Sequence, residues 1–387
     1  MPALFFRVFR DYCERLFTTE TQSSQRLLSI PPSPRPQRLR GAMSVASAEI
    51  ALPRLATQKP EYPFFKITSV LSILWALSWA SPGLAAEARK IKIGVLQTGS
   101  QDFVHTVMER QKLLQKYNIP YERIGFLNPP ALHIMIAEKS VDIGYGGLTA
   151  MARARAEGKG TLVFFGIFSP VNAVLVLKDS PVKSLADLRG KRVGNFGGPG
   201  SATTSIIMAI AKRWYGLDLR RDLELITAPG PALAGLLDRG DLAAALMGTT
   251  ESLRFPLTGK YRVLMDLSAE WEKRAGRAPA HVTIATNDDF ARAHPDILKR
   301  YLRAYGDAVK YVRSHPNIWE EYAKQIRLTE PGAAAALRDN MGPRIIEKWD
   351  AEQIKAQHDF LEVARDILGP KVLKEIPKGL ITDAYNP

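Results

Sequence analysis

The chain has 387 residues, 46% of them hydrophobic and 24% charged, enough for two ordinary domains and an extension. The formal charge is +14, and residues 1–88 carry +4 of it; with no dense Lys/Arg run interleaved with aromatics, this argues for a solvated basic surface or an acidic ligand and against nucleic acid. One cysteine, Cys13, excludes an internal disulfide and any cysteine-rich metal site.

Residues 1–60 are irregular, and Pro31-Pro-Ser-Pro-Arg-Pro36 cannot pack as a core element. Lys66 precedes an apolar run, Ile67–Ala80, which ends in the small residues Ser81-Pro-Gly-Leu-Ala-Ala-Glu-Ala88. A basic flank, an apolar stretch and an A-x-A end predict a secretory signal with its apolar part at about 67–80. The run falls short of the roughly 20 residues of a membrane span; a retained anchor is the alternative. Its distance from Met1 points to a true start at Met43 or later. No cysteine follows it, so a lipid anchor is not expected, and release into a periplasm is.

Lys90–Leu96 alternates as a strand and runs into the polar turn Gln97–Gln101. Val104, Val107, Met108 and Leu114 follow at helical spacing, then a strand at Tyr121–Leu127 and a helix opened by Asn128-Pro-Pro130. Val141–Tyr145 is the third strand, followed by Gly146, Gly147, Leu148, Thr149 and a helix over Ala150–Glu157. This strand–helix alternation predicts a parallel sheet. Thr161–Phe168 is apolar throughout, as in a strand buried on both faces. Ser169-Pro-Val-Asn172 interrupts it, Ala173–Leu177 resumes, and a crossing between two lobes is placed here.

Lys191–Ser205 predicts a strand, a turn through Gly197-Gly-Pro-Gly200, and a helix capped by Ser201. Such a helix start combines free N–H groups, a positive dipole end and hydroxyls, which suits an anion. Further strands are expected at Leu223–Ile226, Leu242–Met247 and Arg262–Leu267, and a charged loop or helical turn at Glu270–Ala278. His281–Ala285 reads as the strand returning to the first lobe. Helices follow to the end. The predicted organisation is a leader at 1–88, lobe 1 at 89–172, lobe 2 at 173–280, and the return to lobe 1 with C-terminal helices at 281–387.

These features resemble periplasmic solute-binding proteins of the nitrate/sulfonate/taurine ABC-transporter class, whose fold is shared by NMT1/THI5-like proteins. The carriers are Val141–Gly147, Lys178–Val193, Gly197–Thr203 and Asn287–Asp296. The resemblance implies an α/β fold of two Rossmann-like lobes with a two-strand hinge (periplasmic binding protein-like II). It implies a small anionic solute as ligand (sulfonate, nitrate, carboxylate or thiamine-precursor-like), a membrane permease and an ATPase as partners, and no cofactor or catalysis. A monomer is expected. Carried over residue by residue, the ligand contacts are Ser100, Gln101, Gly147 and Thr149 from lobe 1, Asn172 from the hinge, and Ser201, Ala202, Thr203 and Thr250 from lobe 2. Taken singly, each is equally readable as a local cap or turn. Sulfonate and nitrate members often carry a Trp-Asp-Pro-like segment where this chain has Gly248-Thr-Thr-Glu251, which leaves the ligand open.

Two other readings stay open. A TAXI-type TRAP receptor for a carboxylate shares the Gly-Pro-Gly-Ser turn. A nucleotide-dependent oxidoreductase is the weaker reading, because Gly198-x-Gly200 lacks the third glycine. His105, His133, His281, His294, His315 and His358 are scattered with no H-E-x-x-H pair, so no metal site is expected. Phe103, Phe126, Tyr145 and Phe168 are expected mostly in the core.

Overall fold

The computed structural model describes residues 89–96, 103–198, 201–370 and 373–387. The leader with its expected signal, and the Gln97–Gln101 turn, lie outside them. The strands are β1 (Ile91–Leu96), β2 (Tyr121–Phe126), β3 (Ile143–Gly146), β4 (Thr161–Phe168), β5 (Ala173–Leu177), β6 (Arg192–Asn195), β7 (Glu224–Thr227), β8 (Ala244–Leu246), β9 (Tyr261–Asp266) and β10 (Val282–Asn287). They form two five-stranded sheets, ordered β2-β1-β3-β10-β4 and β7-β6-β8-β5-β9.

Neither sheet is wholly parallel. In the first, β10 runs antiparallel to β3 and β4; in the second, β5 runs antiparallel to β8 and β9. The reason is the path of the chain. β5 and β10 are the strands by which the chain enters each lobe, so they start at the gap between lobes, where the parallel strands end. All eight residues of β4 are buried, which accounts for its unbroken apolar sequence.

The main helices are α1 (Phe103–Arg110), α2 (Pro129–Ala137), α3 (Leu148–Ala156), α4 (Ala202–Tyr215), α5 (Gly230–Asp238), α6 (Thr249–Leu257), α7 (Leu267–Ala275), α8 (Pro295–Ser314), α9 (Ile318–Gln325), α10 (Ala333–Met341) and α11 (Ala351–Leu368). Local chemistry sets their ends. Asn128 caps α2 by accepting from the Ala131 N–H, and Ser201 caps α4 by accepting from the Thr204 N–H. Gly216 ends α4 at φ 62°, a left-handed value that favours glycine. The charged stretch expected as a loop or single turn is the helix α7. Asp266 caps it, and Trp271 anchors it to Trp214 of α4 and Phe360 of α11.

The C-terminal helices touch both lobes. Phe103 of α1 stacks on Trp319 of α9 at 4.9 Å between centroids. On the other side, Arg254 of α6 pairs with Glu330 at 3.0 Å, and α11 packs on α4. From α11, Gln353 donates to the Ala278 carbonyl and Gln357 accepts from the Ala280 N–H, both at 3.0 Å. These buried amides hold the segment leading into β10.

Candidate functional site

The parallel strands β3, β6 and β8 each end at a glycine-containing turn that opens a helix. Gly147 caps α3, Ser201 caps α4 and Gly248 caps α6. The starts of α3 and α4 meet across the gap: a Cβ placed on Gly147 would lie 3.3 Å from Cβ of Ala202. Gly147 is buried with φ −75° and ψ 134°, an ordinary extended conformation. Its missing side chain therefore serves the close approach of the lobes and relieves no backbone strain. Two helix N-termini brought this close leave a region of positive potential, equivalent to roughly half a charge each.

Two histidines stand beside these helix starts. The Gly147 N–H donates to Nε2 of His133 on α2 at 3.0 Å. Thr203, in the first turn of α4, hydrogen-bonds through Oγ1 to Nε2 of His281 at 2.9 Å. His281 is fixed at the hinge, since its N–H donates to the carbonyl of Phe168 at the end of β4 (2.7 Å). Both rings keep some access to solvent, yet protein surrounds them, and this burial pushes both down to about 4 from the usual 6.5. Near pH 7 both are neutral.

The structure brings together several of the residues singled out from sequence. Gly147 and Ala202 form the close approach. Thr149, half-buried, lies in the first turn of α3. Ser201 Oγ is occupied as the cap and also bonds Thr204 Oγ1 at 2.8 Å. Thr203 faces His281. Asn172 is buried at the hinge, where its Nδ2 donates to the Met247 carbonyl at 3.0 Å and its Oδ1 finds no partner among the described residues. Thr250 lies half-buried in the first turn of α6. Ser100 and Gln101 lie outside the described residues.

Other residues take structural places. Glu251 folds back between two helix starts: a Cβ on Gly230 would lie 2.5 Å from its Cγ, and one on Gly248 2.7 Å from its Oε2. Phe103, Tyr145 and Phe168 are core residues, and Tyr145 bonds Tyr301 through the hydroxyls at 2.7 Å. His294 and His315 end helices, as the prolines after them imply. Among the described residues no group of three or more metal-ligating side chains occurs. No described helix is long and apolar enough to cross a membrane. The histidines beside the candidate site, His133 and His281, carried no signal in the sequence beyond the place of His281 as the first residue of the expected return strand.

Two mixed α/β sheets, two entering strands at the hinge, and two helix starts that meet at the gap define the fold: that of the type II periplasmic binding proteins. Residues 128–318 match the model of the NMT1/THI5-like family. It is 26% identical over 326 residues to a putative thiamine biosynthesis protein of Haemophilus influenzae, covering 80% of this chain and 97% of the relative. It is 23% identical over 198 residues to the taurine-binding periplasmic protein of Escherichia coli, covering 50% of this chain and 59% of that protein. Among solved structures, the alkanesulfonate-binding protein SsuA of Xanthomonas axonopodis pv. citri, bound to MOPS, shares the fold. Its TM-score is 0.62 at 18% identity, over 77% of this chain and 99% of the other.

Proposed function

We propose that this protein is the extracytoplasmic receptor of an ABC importer that captures a small solute bearing an acid group. The observation that carries this is the approach of Gly147 and Ala202, one at each helix start, across the gap between lobes. An acid group placed there accepts hydrogen bonds from first-turn N–H groups of both helices. Each helix start contributes about 0.3–1 kcal/mol at an exposed site and up to ~2 kcal/mol when partly buried. A group that touches both lobes favours the closed arrangement, because only that arrangement supplies both sets of donors. Closure about the β4–β5 and 278–281 crossings then presents a surface that a membrane permease, driven by its ATPase, reads. The ligand leaves chemically unchanged.

The relatives' names support two kinds of ligand, a sulfonate and a thiamine precursor. The periplasmic setting of the taurine-binding relative supports export of this chain through the apolar run at 67–80. Calorimetric titration with sulfonates, nitrate, bicarbonate, aromatic carboxylates and thiamine precursors tests the reading. Binding confined to uncharged compounds would reject the acid-group site.

A further inference from the structure

We infer that His133 is a ligand-contacting residue, its Nδ1–H donating to an oxygen of the solute's acid group, and that it helps select an acceptor-rich end group over a cationic one. The inference rests on the receptor reading above and assigns a residue to its site.

Three observations carry it. First, the ring stands where the lobes meet. The position a Gly147 Cβ would occupy is 3.7 Å from Cε1 of His133 and 3.3 Å from Cβ of Ala202. Second, the tautomer is fixed. A backbone N–H can only donate, so the Gly147 bond uses the lone pair of Nε2, and the neutral ring must carry its proton on Nδ1. Third, this Nδ1–H bonds to no described residue, although its ring is only partly open to solvent. Burial is the sole cause of the ring's lowered basicity, and no charged side chain contributes. The donor is therefore uncharged. It attracts an oxygen lone pair and cannot accept from an ammonium group. His281 differs, because either atom of its Thr203 contact can donate and its tautomer is left free.

Two substitutions separate a contact from a merely structural role. In His133→Gln the amide oxygen can take the place of Nε2 and keep the Gly147 bond, but the Nδ1 donor is lost. In His133→Asn a donor returns near the Nδ1 position. Titrations with ethanesulfonate and benzoate, melting temperatures, and 15N spectra of the imidazole nitrogens are measured together. The expected result is an Nδ1–H tautomer for His133 that shifts on titration. His133→Gln should melt like the wild type but bind about tenfold more weakly, a change of roughly 1.4 kcal/mol, with His133→Asn recovering most of the loss. Wild-type affinity in His133→Gln, or an Nε2–H tautomer, overturns the assignment while leaving the receptor intact. Failure of the wild type to bind either acid rejects the acid-receptor reading itself, and the assignment with it.

Discussion

Thr203 Oγ1 and His281 Nε2 lie 2.9 Å apart, joining the first turn of α4 in the second lobe to the segment that returns the chain to the first. His281 is itself held by Phe168, so the bond ties the start of α4 to the hinge. In the proposed closure this bond is one of the contacts that hold the start of α4 against the hinge. Thr203→Val removes the hydroxyl and leaves Nε2 of His281 unpaired, at a cost of about 1–2 kcal/mol to the closed arrangement. The expected outcome is a roughly five- to thirtyfold loss of affinity, in line with roughly 1.4 kcal/mol per factor of ten, with a smaller change in melting temperature. Calorimetry on the variant checks it; unchanged affinity removes this bond from the closure mechanism.

Gly147 tests the approach of the lobes without disturbing the backbone, because its φ of −75° suits any residue. An alanine there would meet Ala202 at 3.3 Å, close enough that something must give by a few tenths of an ångström. A valine demands more. We expect Gly147→Ala to fold normally and bind a few-fold more weakly, and Gly147→Val to hold the lobes apart, since overpacking costs about 1–3 kcal/mol. Small-angle scattering with saturating ligand should show compaction in the wild type and little in Gly147→Val.

These residues also show what could be read ahead of the structure. Ser201 was legible as a cap because a hydroxyl residue before helical spacing has few other local uses. The run Thr161–Phe168 announced its burial by being apolar on both faces. The direction of β5 and β10 was not legible: local sequence fixes a strand, but its direction within the sheet follows from where the chain crosses between lobes. Nor were the two site histidines. Thr203 and His281 are 78 positions apart and His133 and Gly147 only 14, yet each pair meets through tertiary packing, and a histidine on a helix looks the same whether it faces a cleft or a core.

The same histidines predict how acid affects the fold. Each is pushed by burial from 6.5 down to about 4 in the folded chain, so between those values the unfolded chain binds more protons. Stability therefore rises with pH from about 4 to about 6.5 and is level above as far as these groups are concerned. Melting curves should fall as pH drops through this window. In a His133→Gln, His281→Gln double variant that part of the slope should flatten. An equal slope in the variant would assign the acid sensitivity to other groups.

Arg155 of α3 anchors the far end of the first lobe. Its Nη1 donates to the carbonyl of Thr161 at 2.7 Å and to the Asp288 carboxylate at 3.0 Å, and its Nε donates to the carbonyl of Lys378 at 2.8 Å. One guanidinium thus joins α3, β4, the residue after β10 and the C-terminal tail. The fork geometry is what makes this possible, and a lysine has a single point of attachment to offer. Gly379 follows at φ 69°, and a Cβ there would come within 2.9 Å of Nη2 of Arg155, so the tail must carry glycine to close on the arginine. Arg155→Ala leaves two carbonyls and a part-buried carboxylate without their donor. With hydrogen bonds to charged groups worth about 1.5–3 kcal/mol, a loss of roughly 2–4 kcal/mol in unfolding free energy is expected. Arg155→Lys should recover less than half of it. Urea unfolding of both variants checks this, and because Arg155 lies away from the helix starts that face the gap, ligand affinity should stay at the wild-type value in whatever fraction remains folded.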